Sequence, residues 1–334
     1  MTIKYTNSLN LPLSTAVYLA TDHYDHAAVG AGLSATTLIK PIKQVILGKR
    51  VKAAATAEGI PDIAGMISSR VGTSIHNGIK EAWLTNHVKA LRDLGYPEAI
   101  IKKVVVNPPA GTDLTGKIPV YLEVRSSKQV CGLTVSGEFD FVAEGNLEDH
   151  KSTGVYTYMM GNKEEDYIAQ GSIYRWLNPE LITGPHIGIN YIFMDWSSAQ
   201  AKQQPDKYPQ HRLIQRKYLL WSVENTEAYV TKRVQTLLDL WDAPEELLPP
   251  CTDKDLWRSE PQFKYYKKPE NANNGSRSTK NFETLLEANQ HKVKDGDVGI
   301  VKIVPGQVKG CLYCDGFAGC KQKDQLIASG DLIV

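Results

Sequence analysis

Residues Gly137–Thr153 read GEFDFVAEGNLEDHKST. Two β-type runs lie here, Val135–Val142 and Asn146–Ser152, joined by the small glycine-containing connection Ala143–Glu144–Gly145. Asp140 falls near the end of the first run. Asp149 and Lys151 stand two apart in the second, so on a strand both project from one face. Alternation turns the side chain of His150 to the other face, leaving its backbone carbonyl as a candidate ligand. Two carboxylates and an ammonium at one sheet edge are unfavourable unless something binds there, and the usual guest is a divalent cation.

Upstream, Ile100–Val106 and Ile118–Val124 read as strands separated by a turn region at 108–111. Glu123 in the second is a candidate further acid, although the pattern equally suits an exposed strand glutamate. Gly72–His76 (GTSIH) opens a helix with Thr73 as N-cap and a stripe of Ile75, Ile79, Trp83 and Leu91. His76 lies in its first turn. Cys131 reads as a small buried hydrophobe on the first strand of the hairpin. Earlier still, Ser34 caps a helix start, and Ile39–Arg50 carries Lys40, Lys43, Lys49 and Arg50, a solvated face or a contact for backbone phosphates.

Downstream, Glu164–Leu177 reads as a helix with an acidic first turn. Gln170 and Tyr174 stand four apart on one of its faces, and Gly171 permits close backbone approach. Strands follow at Ile187–Asp195 and Arg212–Leu220, then a helix capped by Ser222 and running to about Trp241. This order of helices, strands, helix, strands and helix predicts an α/β core with a mixed sheet.

Composition sets bounds without choosing a function. The chain has 334 residues, 42% hydrophobic and 22% charged, with a formal net charge of +1. That is an ordinary globular composition, and neutrality overall leaves room for a local basic face. No run of about 18 apolar residues exists, so no membrane span or membrane partner is expected. The opening MTIKYTNSLNLPLST lacks the apolar core of a signal peptide. Five cysteines, an odd number, do not form a secreted disulfide framework, and a cytoplasmic location is the expectation. Three of them make up C-x-x-C-x5-C: Cys311, Cys314 and Cys320.

Hydrolysis of a phosphodiester needs an activated water, neutralised phosphate charge and a stabilised leaving oxyanion. Mg²⁺ or Mn²⁺ held by Asp140, Asp149 and the His150 carbonyl would supply much of this. Lys151 would orient or deprotonate the water, and His76 could complete the coordination sphere, a nitrogen donor that favours Mn²⁺. D-x-K alone is a weak signal. Joined to a G-x-x-D strand before it, a histidine helix and a Q-x-x-x-Y helix, it is hard to attribute to accident.

With these residues in place, the sequence resembles the PD-(D/E)xK nuclease superfamily. The branch is the RecB-like one, which includes RecB and AddB nuclease domains, Cas4 proteins and phage exonucleases. The resemblance covers roughly 30–220. It rests on GTSIH at 72–76, GEFD at 137–140, DHK at 149–151 and QGSIY at 170–174, and is strongest to phage-type members. It implies a restriction-endonuclease-like core, a mixed central sheet flanked by helices, with a C-terminal cysteine-containing appendage. Residues 1–70 would be an N-terminal helical segment of that core, 71–242 the nuclease core and 243–334 the appendage. It further implies metal ligation by His76, Asp140, Asp149 and the His150 carbonyl. Catalytic duty would fall to Asp140, Asp149 and Lys151, supported by Gln170 and Tyr174.

Relatives hold an iron–sulfur cluster on the same C-terminal cysteine triplet plus one cysteine placed early in the chain. Here no cysteine precedes Cys131, and Cys251, after a Pro-Pro turn, is the substitute fourth ligand. A [4Fe–4S] cluster, zinc or no metal at all are the alternatives. The expected function is a metal-dependent DNA exonuclease acting on single strands or duplex ends, in phage-type recombination, replication or DNA degradation. A recombination or single-strand-binding protein is the partner such an enzyme would take. The alternatives are a Cas4-like nuclease that trims DNA ends, and a catalytically inactive DNA-binding protein of the same fold.

Overall fold

The hairpin around Glu144 sits in the middle of a seven-stranded sheet. The structure is a computed structural model, and it describes residues 4–21, 32–54 and 61–334. Its strands are β1 (Leu33–Ser34), β2 (Val104–Val106), β3 (Ile118–Val130), β4 (Leu133–Ala143), β5 (Asn146–Thr153), β6 (His186–Phe193) and β7 (Leu213–Leu219). The order is β2-β3-β4-β5-β6-β7, with β1 paired to β4. β2 with β3, β5 with β6 and β1 with β4 run parallel; the remaining pairs are antiparallel. Helices flank this mixed sheet, and the α/β architecture expected of a restriction-endonuclease-like core is the one observed.

Glu144 and Gly145 both take positive φ (49° and 75°), a two-residue hairpin turn of the kind whose twist matches paired strands. A second such turn, at Cys131 and Gly132 (48° and 81°), joins β3 to β4. Cys131 is therefore exposed at a hairpin tip rather than buried on a strand, because a residue before glycine takes the turn more readily than the ladder.

The helix Glu164–Leu177 has the expected bounds and lies over β4, β6 and β7. Gly171 is required there. A Cβ at this position would come within 2.8 Å of Ile187 and 2.9 Å of Leu220. The histidine-bearing helix starts earlier than the capping signals indicate, at Ile67, and runs to Glu81. Thr73 is an interior residue whose hydroxyl donates to the Ser69 carbonyl at 3.0 Å. Gly72, poor for a helix interior, is kept by packing, since a Cβ there would meet the Ser152 Oγ at 3.2 Å. Ile100–Val106 is likewise only partly strand. Pro97 opens a helical turn over Glu98–Ile101, and pairing begins at Val104.

The chain divides into two compact units, one of Met1–Ile39 with Ala57–Leu238 and one of Lys40–Thr56 with Asp239–Val334. The 1–70 stretch is thus parted, for the helix Ile42–Ala54 belongs to the second unit. There Lys43 pairs with Glu245 at 3.5 Å, and the Arg50 guanidinium donates to the carbonyls of Trp241 and Ala243. Neither a solvated face nor a phosphate contact describes these two residues. The second unit also holds a three-stranded antiparallel sheet, β8 (Gln262–Tyr266), β9 (Lys280–Phe282) and β10 (Ile300–Val304), in the order β10-β8-β9. The Asn-rich stretch 271–279 connects β8 to β9. Among the described residues no helix is long and apolar enough to cross a membrane.

Candidate metal and catalytic centre

Pairing of β4 with β5 runs from Ala143–Asn146 to Phe141–Glu148 and stops. The next position in that register sets Asp140 opposite Asp149. Where the ladder ends, side chains take over from the backbone: Asp140 Oδ2 accepts the His150 N–H at 2.8 Å. His76 approaches the same point from its helix, with Nδ1 3.5 Å from Asp140 Oδ2 and Nε2 3.0 Å from the His150 carbonyl oxygen. Three expected ligands thus meet around one opening in the sheet.

Asp149 is the most deeply placed of the set, 1% exposed. Lys151 Nζ forms an ion pair with its Oδ2 at 2.7 Å, and no other donor among the described residues meets that oxygen. Burial raises the Asp149 carboxyl to about 6 even though the Lys151 ammonium opposes it, and the Asp140 charge adds to the rise. Burial acts the same way on Asp140, but His76, the His150 N–H and Lys151 outweigh it and hold that carboxyl below its ordinary value. The two aspartates are therefore driven apart in acidity. The Asp140 hydrogen bond lifts the His76 imidazole above its usual range, against burial. Lys151 is raised as well, because Asp149 and Asp140 together overcome its desolvation.

Gln170 and Tyr174 complete the support. The Lys151 ammonium donates to Gln170 Oε1 at 3.5 Å, and Gln170 Nε2 donates to the Tyr174 hydroxyl at 2.7 Å. Both side chains are buried, and their link to the centre runs through Lys151. Tyr174 also explains the glycine of GEFD. A Cβ on Gly137 would lie 2.9 Å from the Tyr174 ring and 2.9 Å from Leu177.

Several participants have no motif to announce them. Lys151 Nζ stands 5.7 Å from the centre of the Tyr167 ring, which packs on Tyr191, which packs on Tyr158. The tyrosine-rich stretch after Lys151 points to Tyr158 and Tyr167 in the sequence, but not to Tyr191, which the sheet brings between them. On the other face of β5, Asn190 Nδ2 donates to Glu148 at 2.8 Å and lies 3.3 Å from His150 Nδ1. Asp195 accepts the Val155 N–H at 2.8 Å and so fixes the chain just after β5. Glu123 lies beside the centre, paired with Lys80, in a small cleft lined also by His76, Ile79, Asp140 and His150.

The donor set suits a hard or borderline divalent cation. Two carboxylates, a carbonyl and an imidazole converge, and the most deeply buried carboxylate oxygen has the Lys151 ammonium, at 2.7 Å, as its counter-charge. In this arrangement protons and the Lys151 ammonium face the carboxylates, and no three His, Cys, Asp or Glu side chains among the described residues are gathered as a ready metal cage.

The cysteine region is built differently. Cys311 lies on a 3₁₀ turn, Cys314 just after it, and Cys320 just before the helix Lys321–Ala328. Cys251 exchanges two hydrogen bonds with the Gln322 side chain, and Cys320 Sγ accepts the Lys323 N–H at 3.4 Å. Cys311 packs with Leu256, Val308 and Leu332, and Cys251 lies against that cluster. Burial pushes the Cys251 thiol up to about 12, with Asp255 and the other three cysteines adding to the rise. All five cysteines are free thiols.

Comparison with known proteins adds little. No family profile matches the chain, and no curated protein matches it in sequence. One similar solved structure is that of a protein called SSO0001; it is 15% identical, with a TM-score of 0.36, over 64% of this chain and 78% of that one. A likeness so distant carries no argument about function.

Proposed function

We propose that this chain is a metal-dependent DNA exonuclease of the PD-(D/E)xK type that hydrolyses phosphodiester bonds at strand ends. The observation that carries the reading is the meeting of His76, Asp140, the His150 carbonyl, Asp149 and Lys151 at the point where β4 and β5 part. Mg²⁺ or Mn²⁺ held by the first four would neutralise phosphate charge and supply an activated water. Asp140, kept ionised, and Asp149 provide the negative charge that seats such a cation. Lys151, kept as an ammonium by both aspartates, orients the water and offsets charge as it develops on the phosphate. Gln170 fixes the ammonium, and Tyr174 fixes Gln170.

The test is the fate of end-labelled DNA, single- and double-stranded, linear and circular, with Mg²⁺, Mn²⁺ or EDTA. Loss of label from linear molecules with either metal, and none with EDTA, is expected. Equal cleavage of circles would replace the end-directed reading with an endonuclease. Cleavage that persists in EDTA would remove the metal.

In the second unit we propose that Cys251, Cys311, Cys314 and Cys320 hold a structural metal group, a [4Fe–4S] cluster or zinc. The support is chemical. Four free thiols lie close together: after burial, neighbouring cysteines help push the Cys251, Cys311 and Cys314 thiols up, and the Cys320 sulfur already accepts a backbone N–H.

A further inference from the structure

The ladder between β3 and β4 is broken at one residue. Leu122 pairs with Phe141 and Val124 with Phe139, in the same register on both sides, yet Glu123, which would face Asp140, is absent from the ladder. Its φ is +48°, a left-handed conformation costing a non-glycine residue about 1–2 kcal/mol. No residue is inserted here, so this is not a bulge, and no turn needs the conformation. Strain of this kind persists where the surroundings hold it, and it clusters at functional sites. Its effect is to remove the Glu123 side chain from the regular alternation, beside Asp140 and into the cleft shared with His76 and His150.

The partner of Glu123 is Lys80, at 2.5 Å. Lys80 stands one helical turn beyond His76, so the two side chains emerge on neighbouring parts of one helix face. The lysine side chain is 41% exposed while the glutamate is 21% exposed. The ammonium therefore stands at the rim and the carboxylate behind it. A cation on a long, flexible stem at the rim of a phosphodiesterase centre is placed to meet a phosphate of the strand entering that centre.

We propose that Lys80 is a substrate-binding residue that contacts a backbone phosphate next to the scissile bond, and that Glu123 is its positioning residue. Glu123 holds the ammonium at the rim in the free protein and yields it to the incoming phosphate. The ligand class is a nucleic acid backbone, recognised by charge and independent of base sequence. The inference rests on the nuclease reading above.

The two residues make opposite predictions, which a simple ion pair would not. Binding of the full chain to a labelled single-stranded oligonucleotide is followed by fluorescence anisotropy in EDTA across a salt series. Lys80→Ala is expected to weaken binding and to make the plot of log affinity against log salt shallower by about 0.7, one phosphate contact on a single strand. Lys80→Arg restores both. Glu123→Gln removes the competitor for the ammonium and is expected to tighten binding. An unchanged slope in Lys80→Ala, or weakening by Glu123→Gln as large as that of Lys80→Ala, would overturn the proposal. If Lys80→Ala does not fold, Glu123→Gln decides alone, tighter binding upholding the proposal and weaker binding overturning it. Wild-type protein that binds no DNA at any salt defeats the nucleic-acid reading itself, and this inference with it.

Discussion

Asp140, Asp149 and Lys151 project from long strands, whereas Cys311, Cys314 and Cys320 sit on or beside 3₁₀ turns with a small apolar cluster beneath them. The contrast separates two ways of making a polar cluster. In the first, β5 stays paired to β6 from Leu147 to Thr153, beyond the point where it has parted from β4. The backbone there is fixed before any ligand arrives, and unfavourable burial of charge is imposed on Asp149 by the fold. In the second, Cys311 is held by little more than Leu256, Val308 and Leu332, and local turns position the sulfurs. A region with so small a core has more to gain from a ligand that crosslinks it.

The difference also decides how much each region shows in its sequence. Period-two alternation around Glu144–Gly145 places the hairpin, and with it the face shared by Asp149 and Lys151, because strand geometry leaves few choices. The Gln170 and Tyr174 spacing does the same for their helix. What stays illegible depends on contacts between distant segments. Nothing local to Gly72–His76 reveals that the helix begins at Ile67, and its contacts reach segments distant in sequence, β5 among them. Nothing in the alternation of β3 reveals that Glu123 leaves the ladder. By position the helix Ile42–Ala54 reads as part of the N-terminal segment, and its place in the second unit follows from partners about two hundred residues away, such as Trp241 and Glu245.

The comparison is broken most sharply at Lys151. If the first region is a preformed centre, Lys151→Ala should lower metal-dependent cleavage by about a thousandfold or more, the scale on which a positioned proton-handling or charge-stabilising group contributes. Its melting profile should stay cooperative, because β5 keeps its partners. Cleavage at the wild-type rate would sink the assignment of the centre. Loss of the folded state would show instead that the centre is not preformed.

A smaller effect is expected from the second region. Cys314→Ser should lower the thermal stability of the protein by a few kcal/mol if the thiols hold a structural metal, and prolonged chelation of the wild type should act in the same direction. Differential scanning calorimetry on both, alongside metal analysis and an absorption spectrum, measures it. A brown protein absorbing near 400 nm identifies an iron–sulfur cluster, and a colourless one with zinc identifies the alternative. An unchanged melting profile would mean that the turns stand without a ligand, and the contrast between the two regions would fall.

The smallest effect lies in Asp149 itself, where a preformed centre should be a source of instability. Its carboxyl is raised from an ordinary value near 3.8 to about 6, so folding favours the protonated form. That contribution is complete below about 3.8 and is lost as the pH rises through about 6. At neutral pH and above, the buried charge then costs the folded state on the order of 2–3 kcal/mol. Asp149→Asn removes the charge and keeps the shape. In EDTA the variant should melt several degrees higher than the wild type at pH 8, with the gain shrinking below pH 6 and vanishing near pH 4. With Mg²⁺ or Mn²⁺ present the gain should shrink at pH 8 too, because the cation relieves the same charge in the wild type alone. A variant less stable than wild type at pH 8 in EDTA would show that the pairing with Lys151 outweighs burial, and that the sheet does not hold Asp149 at a penalty.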